Sequence, residues 1–511
     1  MGWLVVVLLQ AGFLALCLIH LDGPFLSQHY ERQNQTFDAS RRIFHEGWSA
    51  VLTPKATFSL PGYETRPFTV IRQEFPFHGV LGWPLAGLLG HDAATVRLVS
   101  ITFALLSIAL MYLILRQWLA PGVAVAGAAL WTASPLFLHL GHVPMPDILC
   151  TTGMLAAFWF ALKSHLPASS AAFLFAVLAK LSVAVFGLPI LVALLIARDC
   201  RKIGDFLRLS ILWGWLPLLG LAAWLSLEIR DPDTPYSILR LSSRSSIDVI
   251  LSLKFYVFLI GCLVPYGMGL LGVLGCLLAL KNGGAGIHPW LKWAILAANL
   301  IYFVLVPAKI PEPQYLLPSL AWAVIGAALG FNYLAARLPT HAQWRWTVIV
   351  LAGVQLLTAT WFTSHLEAPR VPGYPQFPQV AALLPPGARV ILGFEHYGAS
   401  PALWLDRNVL ALHTVSALDA EWPQLQKAGF THVLLMDVVT TYGSFPKYNL
   451  RQWFASFARF QSVASSGSNV SLTDYTGPSS PFRQYCDARF TPVFSGDHLV
   501  LYQLPAPAKP Q

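Results

Sequence analysis

The chain has 511 residues, of which 56% are hydrophobic and 11% are charged, and its mean hydropathy is +0.58. A soluble globular domain carries about 25% charged residues, so this chain has too little polar surface to face water along its whole length. The formal net charge of +9 is attributed to cytoplasmic loops and contact with anionic lipid, because no basic run interleaved with aromatics indicates nucleic-acid binding.

Apolar segments recur along the first two thirds of the chain, and a helix needs about 20 apolar residues to cross a bilayer. The first segment lacks the basic start and small-residue cleavage site of a signal peptide, which predicts a retained helix. About eleven transmembrane helices are predicted, within a range of ten to thirteen because some spans are short, at residues 2–20, 94–115, 120–140, 147–162, 169–180, 183–197, 207–227, 254–280, 290–307, 314–336 and 346–363.

Lysine and arginine are distributed unequally between the two sets of short connections. The richer set, which includes the loop with Arg198, Arg201 and Lys202, is predicted to be cytoplasmic. The loop 21–93 and all residues after 364 are then extracytoplasmic, in a multi-pass protein of the plasma (inner) membrane.

The C-terminal part differs in pattern from the rest. Short β-like runs at 388–394, 431–438 and 498–504, with a helical pattern around 418–428, predict a small α/β domain. The predicted organisation is a polytopic α-helical membrane domain, a Pro-rich linker and a soluble extracytoplasmic α/β domain, at residues 1–363, 364–378 and 379–511.

Charged groups in or beside membrane helices are costly, so they are candidates for function. In the first loop, Glu31, Arg32, Gln35 and Asp38 lie in a polar stretch whose pattern from Thr36 onward suits an amphipathic helix. These side chains face a cavity if they are functional; the alternative is a solvated helix on the membrane surface.

Two further acids stand at predicted membrane junctions. Arg72 and Glu74 immediately precede an apolar stretch, where an interfacial anchor is the alternative interpretation. Asp147 follows Pro144 and Pro146 at the start of a predicted helix, where a helix cap is the alternative.

Five cations accompany these acids and resemble the electropositive surround that a membrane-embedded phosphate needs. A lysine at a membrane edge can also extend to lipid headgroups, which is the alternative for this group. The cations are Lys180, Arg240, Arg244, Lys254 and Lys309.

At these clusters the sequence resembles the GT-C superfamily of glycosyltransferases that use polyprenyl-phosphate sugars, nearest to the branch of protein O-mannosyltransferases and lipid A aminoarabinose transferases. Five motifs occur in the family's order over residues 1–330. They are ERQNQTFDASRRIFHEG (31–47), QEFPFHGVLGWPLAGLLG (73–90), LGHVPMPD (140–147), AKLS (179–182) followed by Pro189, and PQYLLP (313–318).

The resemblance implies a GT-C-like fold and transfer of a hexosyl or pentosyl group, with inversion, from a polyprenyl-phosphate sugar to a glycan, lipid or protein acceptor. It also implies membrane lipid as a partner. The candidate catalytic acids are Asp147, Glu74, Asp38 and Glu31. The candidate substrate-binding residues are Arg32, Gln35, Arg72, His142, Lys180, Arg244, Lys309, Gln314 and Tyr315.

One departure concerns the base. Gln35 stands where some relatives carry a catalytic aspartate, so the role of base passes to one of the four acids, with Asp147 and Glu74 preferred because they stand at membrane junctions. No cofactor is predicted. No metal-ligand spacing occurs in the sequence, and a requirement for a divalent metal is left open.

Two other classes of function compete with the enzyme. A secondary transporter or flippase for a lipid-linked or anionic substrate often shows inverted repeats and polar groups at mid-membrane, whereas this sequence has no evident repeat. A non-catalytic membrane scaffold is the third interpretation. An enzyme places Glu74, Asp147 and Lys309 around one extracytoplasmic cavity, whereas a transporter needs a pathway to both faces.

Overall fold

The structure is a computed structural model of the whole chain. Isolated positions apart, it describes residues 2–52, 74–229, 263–281, 287–305, 313–337, 371–393, 404–439 and 472–505, with single residues between 253 and 260 and between 353 and 367. The chain forms two compact units. The first contains Met1–Pro24, Ile71–Leu366 and Ser444–Pro446, and the second contains Phe25–Val70, Glu367–Gly443 and Lys447–Gln511.

The described part of the first unit is helical, as its apolar segments predict. Its α-helices are α1 Gly2–Leu18, α4 Phe77–Leu89, α5 Ala93–Leu115, α6 Pro121–Thr132, α7 Pro135–Leu140, α8 Pro146–Leu162, α9 Leu166–Ala179, α10 Gly187–Ala197, α11 Ile203–Ile229, α12 Gly269–Lys281, α13 Pro289–Leu305 and α14 Leu317–Arg337. Three irregular helices join them, the 3₁₀ helices Leu181–Phe186 and Pro313–Leu316 and the π-helix Leu263–Met268.

Among the described residues, three helices are long and apolar enough to cross a membrane, and eight further apolar helices have 10–17 residues. The three are Ala93–Leu115, Ile203–Ser226 and Gln314–Arg337. The predicted count of eleven spans remains a prediction, because the span 346–363 lies almost wholly outside the described residues. The predicted orientation also remains a prediction.

The predicted span 120–140 is wrong as a single helix. The chain breaks after Thr132 and starts again at Pro135. The break follows from the sequence Ser134-Pro135, because proline cannot donate to the preceding turn and the serine hydroxyl caps the new helix by accepting from Phe137 N at 3.4 Å. The helix Phe77–Leu89, which the sequence analysis left inside the first loop, is a further difference.

The predicted interruption at Lys180 is present. Helix α9 ends at Ala179, Lys180 has an extended backbone with φ −160° and ψ 110°, and a 3₁₀ turn follows. Lys180 is therefore a single extended residue between two helices, and its charged side chain is buried there.

Helices α12 and α14 approach closely because both present glycine. A Cβ atom built on Gly330 would lie 1.8 Å from the carbonyl oxygen of Gly275, so no larger residue fits at this crossing. Small residues of this kind allow helix backbones to pack without a hydrophobic driving force.

The second unit contains helices α2 Tyr30–Glu46 and α3 Trp48–Leu52 from the first loop and a mixed α/β region from the C-terminal part. Its helices there are α15 Phe377–Leu383, α16 Val415–Lys427 and α17 Pro481–Asp487, after a 3₁₀ turn at Tyr374–Gln376. Its strands are β1 Arg389–Gly393, β2 Asn408–Leu412, β3 His432–Met436, β4 Val438–Val439, β5 Leu472–Thr473, β6 Thr491–Ser495 and β7 Leu499–Gln503.

The main sheet has the order β2-β1-β3-β7-β6, and β4 pairs with β5 separately. The first three strands are parallel, while β7 is antiparallel to both β3 and β6. The predicted strands at 388–394, 431–438 and 498–504 are the three central strands, whose continuous burial makes them readable from sequence. The boundaries 1–363, 364–378 and 379–511 stay a prediction.

Asp437 fixes the end of β3 in this unit. Its carboxylate accepts from the amides of Tyr475 and Thr476 at 2.9 Å each, from the Thr476 hydroxyl at 2.8 Å and from His498 Nδ1 at 3.0 Å. The buried acid thereby ties three separate segments together.

The amphipathic pattern predicted after Thr36 is also confirmed, although helix α2 begins earlier, at Tyr30, and buries Ile43.

Candidate functional site

A buried ion pair lies within the first unit. Asp147 stands in the first turn of α8 behind Pro146, and its Oδ1 is 2.5 Å from Lys180 Nζ. The side chains are 1% and 8% exposed, respectively. Thirty-three residues separate them in sequence, and the packing of α8 against α9 brings them together. The capping alternative for Asp147 therefore does not describe its main contact.

Tyr315 completes one side of this pair. The ammonium of Lys180 lies over its ring, 3.8 Å from the ring centroid, which is a cation–π contact. Tyr315 belongs to the 3₁₀ turn Pro313–Leu316 at the start of α14. A positive charge that has lost its water is thus held between one carboxylate and one aromatic face.

Glu74 is half-buried, and the backbone places it near the end of α9, which leads into Lys180. The position of Glu74 is fixed by the next residue, since Phe75 N donates to Leu178 O at 2.9 Å, two residues before Lys180.

Aromatic packing supports that attachment. The ring of Phe77 lies 4.2 Å from that of Phe175 on α9, and Phe75 packs edge-on against Trp224 at 5.1 Å. The Glu-Phe-Pro segment is therefore attached to the end of α9 by both backbone and rings.

A hydrogen-bond relay links this segment to the loop before Asp147. Ser100 Oγ donates to Val143 O at 2.8 Å and lies 2.9 Å from His78 Nε2. A hydroxyl has one proton, and here the carbonyl accepts it, so His78 Nε2 must be the donor to Ser100. The relay runs from α4 through α5 to the turn that carries Met145 and Pro146.

The cluster offers an anionic guest a single ammonium, which the guest would share with Asp147. Among the described residues it contains one cation, Lys180, and two carboxylates. Oδ1 of Asp147 is bound to the lysine, while its buried Oδ2 has no hydrogen-bond partner among the described residues. A buried acceptor without a partner is costly, so this oxygen is available to a donor group from outside the protein.

The other candidates in the first unit lie at neighbouring positions. His142, which is 7% exposed, donates from Nδ1 to Leu138 O at 2.9 Å, and its ring lies 6.1 Å from that of His139. Gln314, 5% exposed, precedes Tyr315 in the 3₁₀ turn, and this turn packs against helix α7. Arg72, Arg244 and Lys309 lie outside the described residues, as do Arg240 and Lys254.

The first-loop candidates belong to the second unit. Glu31, Arg32, Gln35 and Asp38 all lie on helix α2. Asp38 is buried, whereas Arg32 and Gln35 are half-buried. Their roles remain predictions.

Sequence reasoning missed three residues that shape the cluster: Tyr302, His78 and Ser100. Tyr302 donates its hydroxyl to Tyr315 O at 2.7 Å. A tyrosine, a histidine and a serine within apolar helices need hydrogen-bond partners, so the sequence could have marked them as candidates. The sequence does not show which residues are their partners. No group of three His, Cys, Asp or Glu side chains able to hold a metal occurs in the described part of the chain.

Comparison with known proteins agrees with this architecture. Residues 76–225 match the family of dolichyl-phosphate-mannose-protein mannosyltransferases. No curated protein sequence matches the chain.

Solved structures are similar over the whole chain. ArnT from Cupriavidus metallidurans bound to undecaprenyl phosphate has a TM-score of 0.60 and 16% identity, covering 100% of this chain and 99% of its own. Its apo form has a TM-score of 0.59, also at 16% identity and with the same coverage of both chains.

Two more distant structures share the architecture. The archaeal oligosaccharyltransferase AglB from Archaeoglobus fulgidus, in complex with an inhibitory peptide and a dolichol-phosphate, has a TM-score of 0.55 and 10% identity over 85% of this chain and 69% of its own. The arabinofuranosyltransferase AftD from Mycobacteria has a TM-score of 0.53 and 13% identity over 99% of this chain and 40% of its own. The chain therefore shares the fold of these glycosyltransferases, and this fold together with the family match at residues 76–225 is consistent with the GT-C resemblance predicted from the sequence motifs.

Proposed function

We propose that the chain is a membrane glycosyltransferase that moves a sugar from a polyprenyl-phosphate donor to an extracytoplasmic glycan, lipid or protein acceptor, with inversion at the anomeric carbon. The observation that carries the proposal is the buried Lys180, ion-paired to Asp147 and stacked on Tyr315. Charges among apolar helices are expensive to keep, and they usually mark a substrate path or a reaction centre.

The proposed reaction needs no co-reactant beyond donor and acceptor. The oxygen or nitrogen of the acceptor attacks C1 of the sugar on the face opposite the phosphate. The bond from C1 to that oxygen or nitrogen forms while the bond from C1 to the phosphate oxygen breaks, and the electron pair leaves with polyprenyl phosphate. The proton of the acceptor passes to a carboxylate of the enzyme.

Lys180 is assigned to the leaving phosphate. Two unit charges 4 Å apart attract by about 4 kcal/mol at an effective dielectric constant of about 20. Asp147 already offsets part of the ammonium charge, so removing Lys180 should cost less than the thousandfold that this energy implies, and about a hundredfold is expected. An ammonium held in place by Asp147 and Tyr315 needs little reorganisation when the phosphate charge develops.

Glu74 is assigned as the base. Asp147 Oδ1 is already bound to the ammonium, so Asp147 is assigned to hold Lys180 in place. Glu74 is half-buried, and the residue after it is hydrogen-bonded to Leu178, two residues before Lys180. Asp38 and Glu31, on the second unit, are the alternative bases.

The substrate assignment stays at the level of class. The described residues include no metal-binding cluster, and the proposal routes no step through a metal. A hexosyl and a pentosyl donor both fit the proposal. His142, which lies in the turn before Asp147, and Gln314, which precedes Tyr315, are proposed to contact the donor. Arg72, Arg244 and Lys309 are proposed as further phosphate ligands.

The test uses the full chain in liposomes with radiolabelled polyprenyl-phosphate hexose and pentose and with peptide, glycan and lipid acceptors. Glu74→Gln should lower kcat by about a hundredfold or more, since a general base contributes about 10²–10⁴. Lys180→Gln should weaken binding of polyprenyl phosphate and lower kcat/KM.

Asp92→Asn is the matched control. Asp92 is an exposed acid that caps α5 by accepting from Thr95 N at 3.1 Å, and asparagine can cap equally well. Its activity should equal that of wild type. Full activity of Glu74→Gln would remove Glu74 as the base. Movement of the donor between leaflets without any transfer to acceptors would instead favour the flippase alternative.

A further inference from the structure

Tyr302 touches both segments that build the Lys180 site. From helix α13 its hydroxyl donates to the backbone oxygen of Tyr315 at 2.7 Å. Its ring lies 5.2 Å from that of Phe186, at the end of the 3₁₀ turn that begins immediately after Lys180. The side chain is completely buried. One residue thus contacts the segment that carries the ammonium and the segment that carries the aromatic face beneath it.

We propose that Tyr302 is a positioning residue that holds the Tyr315 ring under Lys180 and so sets the affinity of the site for the phosphate of the lipid donor. The identity of the ligand, a lipid phosphate, rests on the proposed function. The contacts that join Tyr302, Tyr315 and Lys180 do not depend on it. Tyr302 acts through Tyr315 and is not assigned any contact with the substrate.

The physical reason lies in the short turn Pro313–Leu316. A 3₁₀ turn of four residues has weak hydrogen bonds of its own, so an external donor to one of its carbonyls can decide where it sits. Within this turn, the backbone oxygen of Tyr315 accepts from Tyr302. Without that bond the turn gains freedom, and the ring spends less time beneath the ammonium.

Lys180 without its aromatic face is then held by the carboxylates alone. An ammonium that is no longer held over the ring can leave the position in which it meets a phosphate. The population of the competent site falls, and the apparent affinity for the donor falls with it. The rate at saturating donor changes little, since bound donor restores the competent arrangement.

The variant Tyr302→Phe removes one hydroxyl and keeps the ring on Phe186. A hydrogen bond of this kind contributes about 1 kcal/mol, which corresponds to about a fivefold loss of affinity for polyprenyl phosphate and a similar rise in KM for the donor. We expect kcat to stay within about twofold of wild type. Tyr112→Phe is the matched control, because Tyr112 is also a buried tyrosine of the first unit and lies on α5.

A second readout is independent of activity. With 3-fluorotyrosine at position 315, the ¹⁹F resonance reports the ammonium above the ring. Lys180→Gln should shift this resonance strongly in the otherwise wild-type chain and by at most half as much in the Tyr302→Phe background. Should Lys180→Gln fail to fold, the donor affinity of Tyr302→Phe alone decides the proposal.

The outcomes separate the two claims. Donor affinity of Tyr302→Phe equal to that of Tyr112→Phe, in a wild-type chain that binds polyprenyl phosphate, overturns the positioning role and leaves the proposed function standing. A loss confined to kcat also overturns it, because a damaged active fraction lowers kcat and not affinity. A wild-type chain without affinity for polyprenyl phosphate refutes the proposed function, and with it the link to donor affinity, while the ¹⁹F coupling still tests the geometry.

Discussion

Breaking the Asp147–Lys180 pair from either side should destabilise the first unit by different amounts, because the two charges have different second partners. Lys180→Met leaves a carboxylate that is 1% exposed without its cation. Removing one member of a buried pair typically costs about 3–5 kcal/mol, and we expect the upper half of that range.

Asp147→Leu leaves the ammonium in place over the ring of Tyr315 and near Glu74. A desolvated cation–π contact contributes about 2 kcal/mol, which offsets part of the lost pairing. The expected cost is therefore about 1–3 kcal/mol. The double variant Asp147→Leu/Lys180→Met removes both charges, so it should unfold within about 1 kcal/mol of wild type.

The assay is equilibrium unfolding in detergent micelles, followed by tryptophan fluorescence and circular dichroism. The exposed pair Arg489–Asp419, whose side chains are 48% and 59% exposed, provides the control, and Arg489→Met should leave stability nearly unchanged. The reasoning is refuted if Asp147→Leu is as damaging as Lys180→Met, or if the double variant is destabilised by the sum of the single changes. Glycosyl transfer by the stable double variant should still be lost.

Three further predictions concern other parts of the molecule. Gly330→Ala should destabilise the first unit by about 1–3 kcal/mol, because the added Cβ would meet the backbone of Gly275, and Gly353→Ala, where nothing lies within 4 Å, is its control in the same unfolding assay. Asp437→Ala should cost the second unit about 3 kcal/mol or more, measured by hydrogen exchange of β3, since four donors lose their acceptor; exchange as slow as in wild type would contradict it. Burial lowers the pKa of His432 below its usual value of 6.5, so the unfolded chain binds the proton first as pH falls. The second unit should therefore be stable above pH 6.5 and lose stability below it, and His432→Gln should flatten that part of the pH profile.

Much of the site could be anticipated because charge inside apolar sequence is itself a signal. Asp147 and Glu74 were selected for their position at helix boundaries, and Lys180 for its place between two short apolar runs. The structure brings Lys180 into contact with Asp147 and Tyr315, and it hydrogen-bonds the residue after Glu74 to Leu178 at the end of α9. The capping explanation for Asp147 looked reasonable from local pattern alone, and only the distance to Lys180 decides against it as the main contact.

Other features were beyond local pattern. The break at Ser134-Pro135 was missed because the summed hydropathy of residues 120–140 outweighed one proline. Strand β2 was missed although its described side chains are buried, and β6 was missed because it is a largely exposed edge strand without a continuous apolar run. The roles of Tyr302, His78 and Ser100 depend on partners 13, 22 and 43 residues away.

The sequence by itself determined the apolar helices, the α/β character of the C-terminal region and the positions of acids and lysines at helix ends. These are consequences of composition, periodicity and local backbone chemistry, which act over a few residues. The tertiary structure decided which charge meets which: that Lys180 pairs with Asp147 and stacks on Tyr315, and that Glu74 joins them through Phe75 and the end of α9. Helices that are apolar on every side can pack at several rotations with similar burial, so the pairing of their few charges is settled only when all of them are in place.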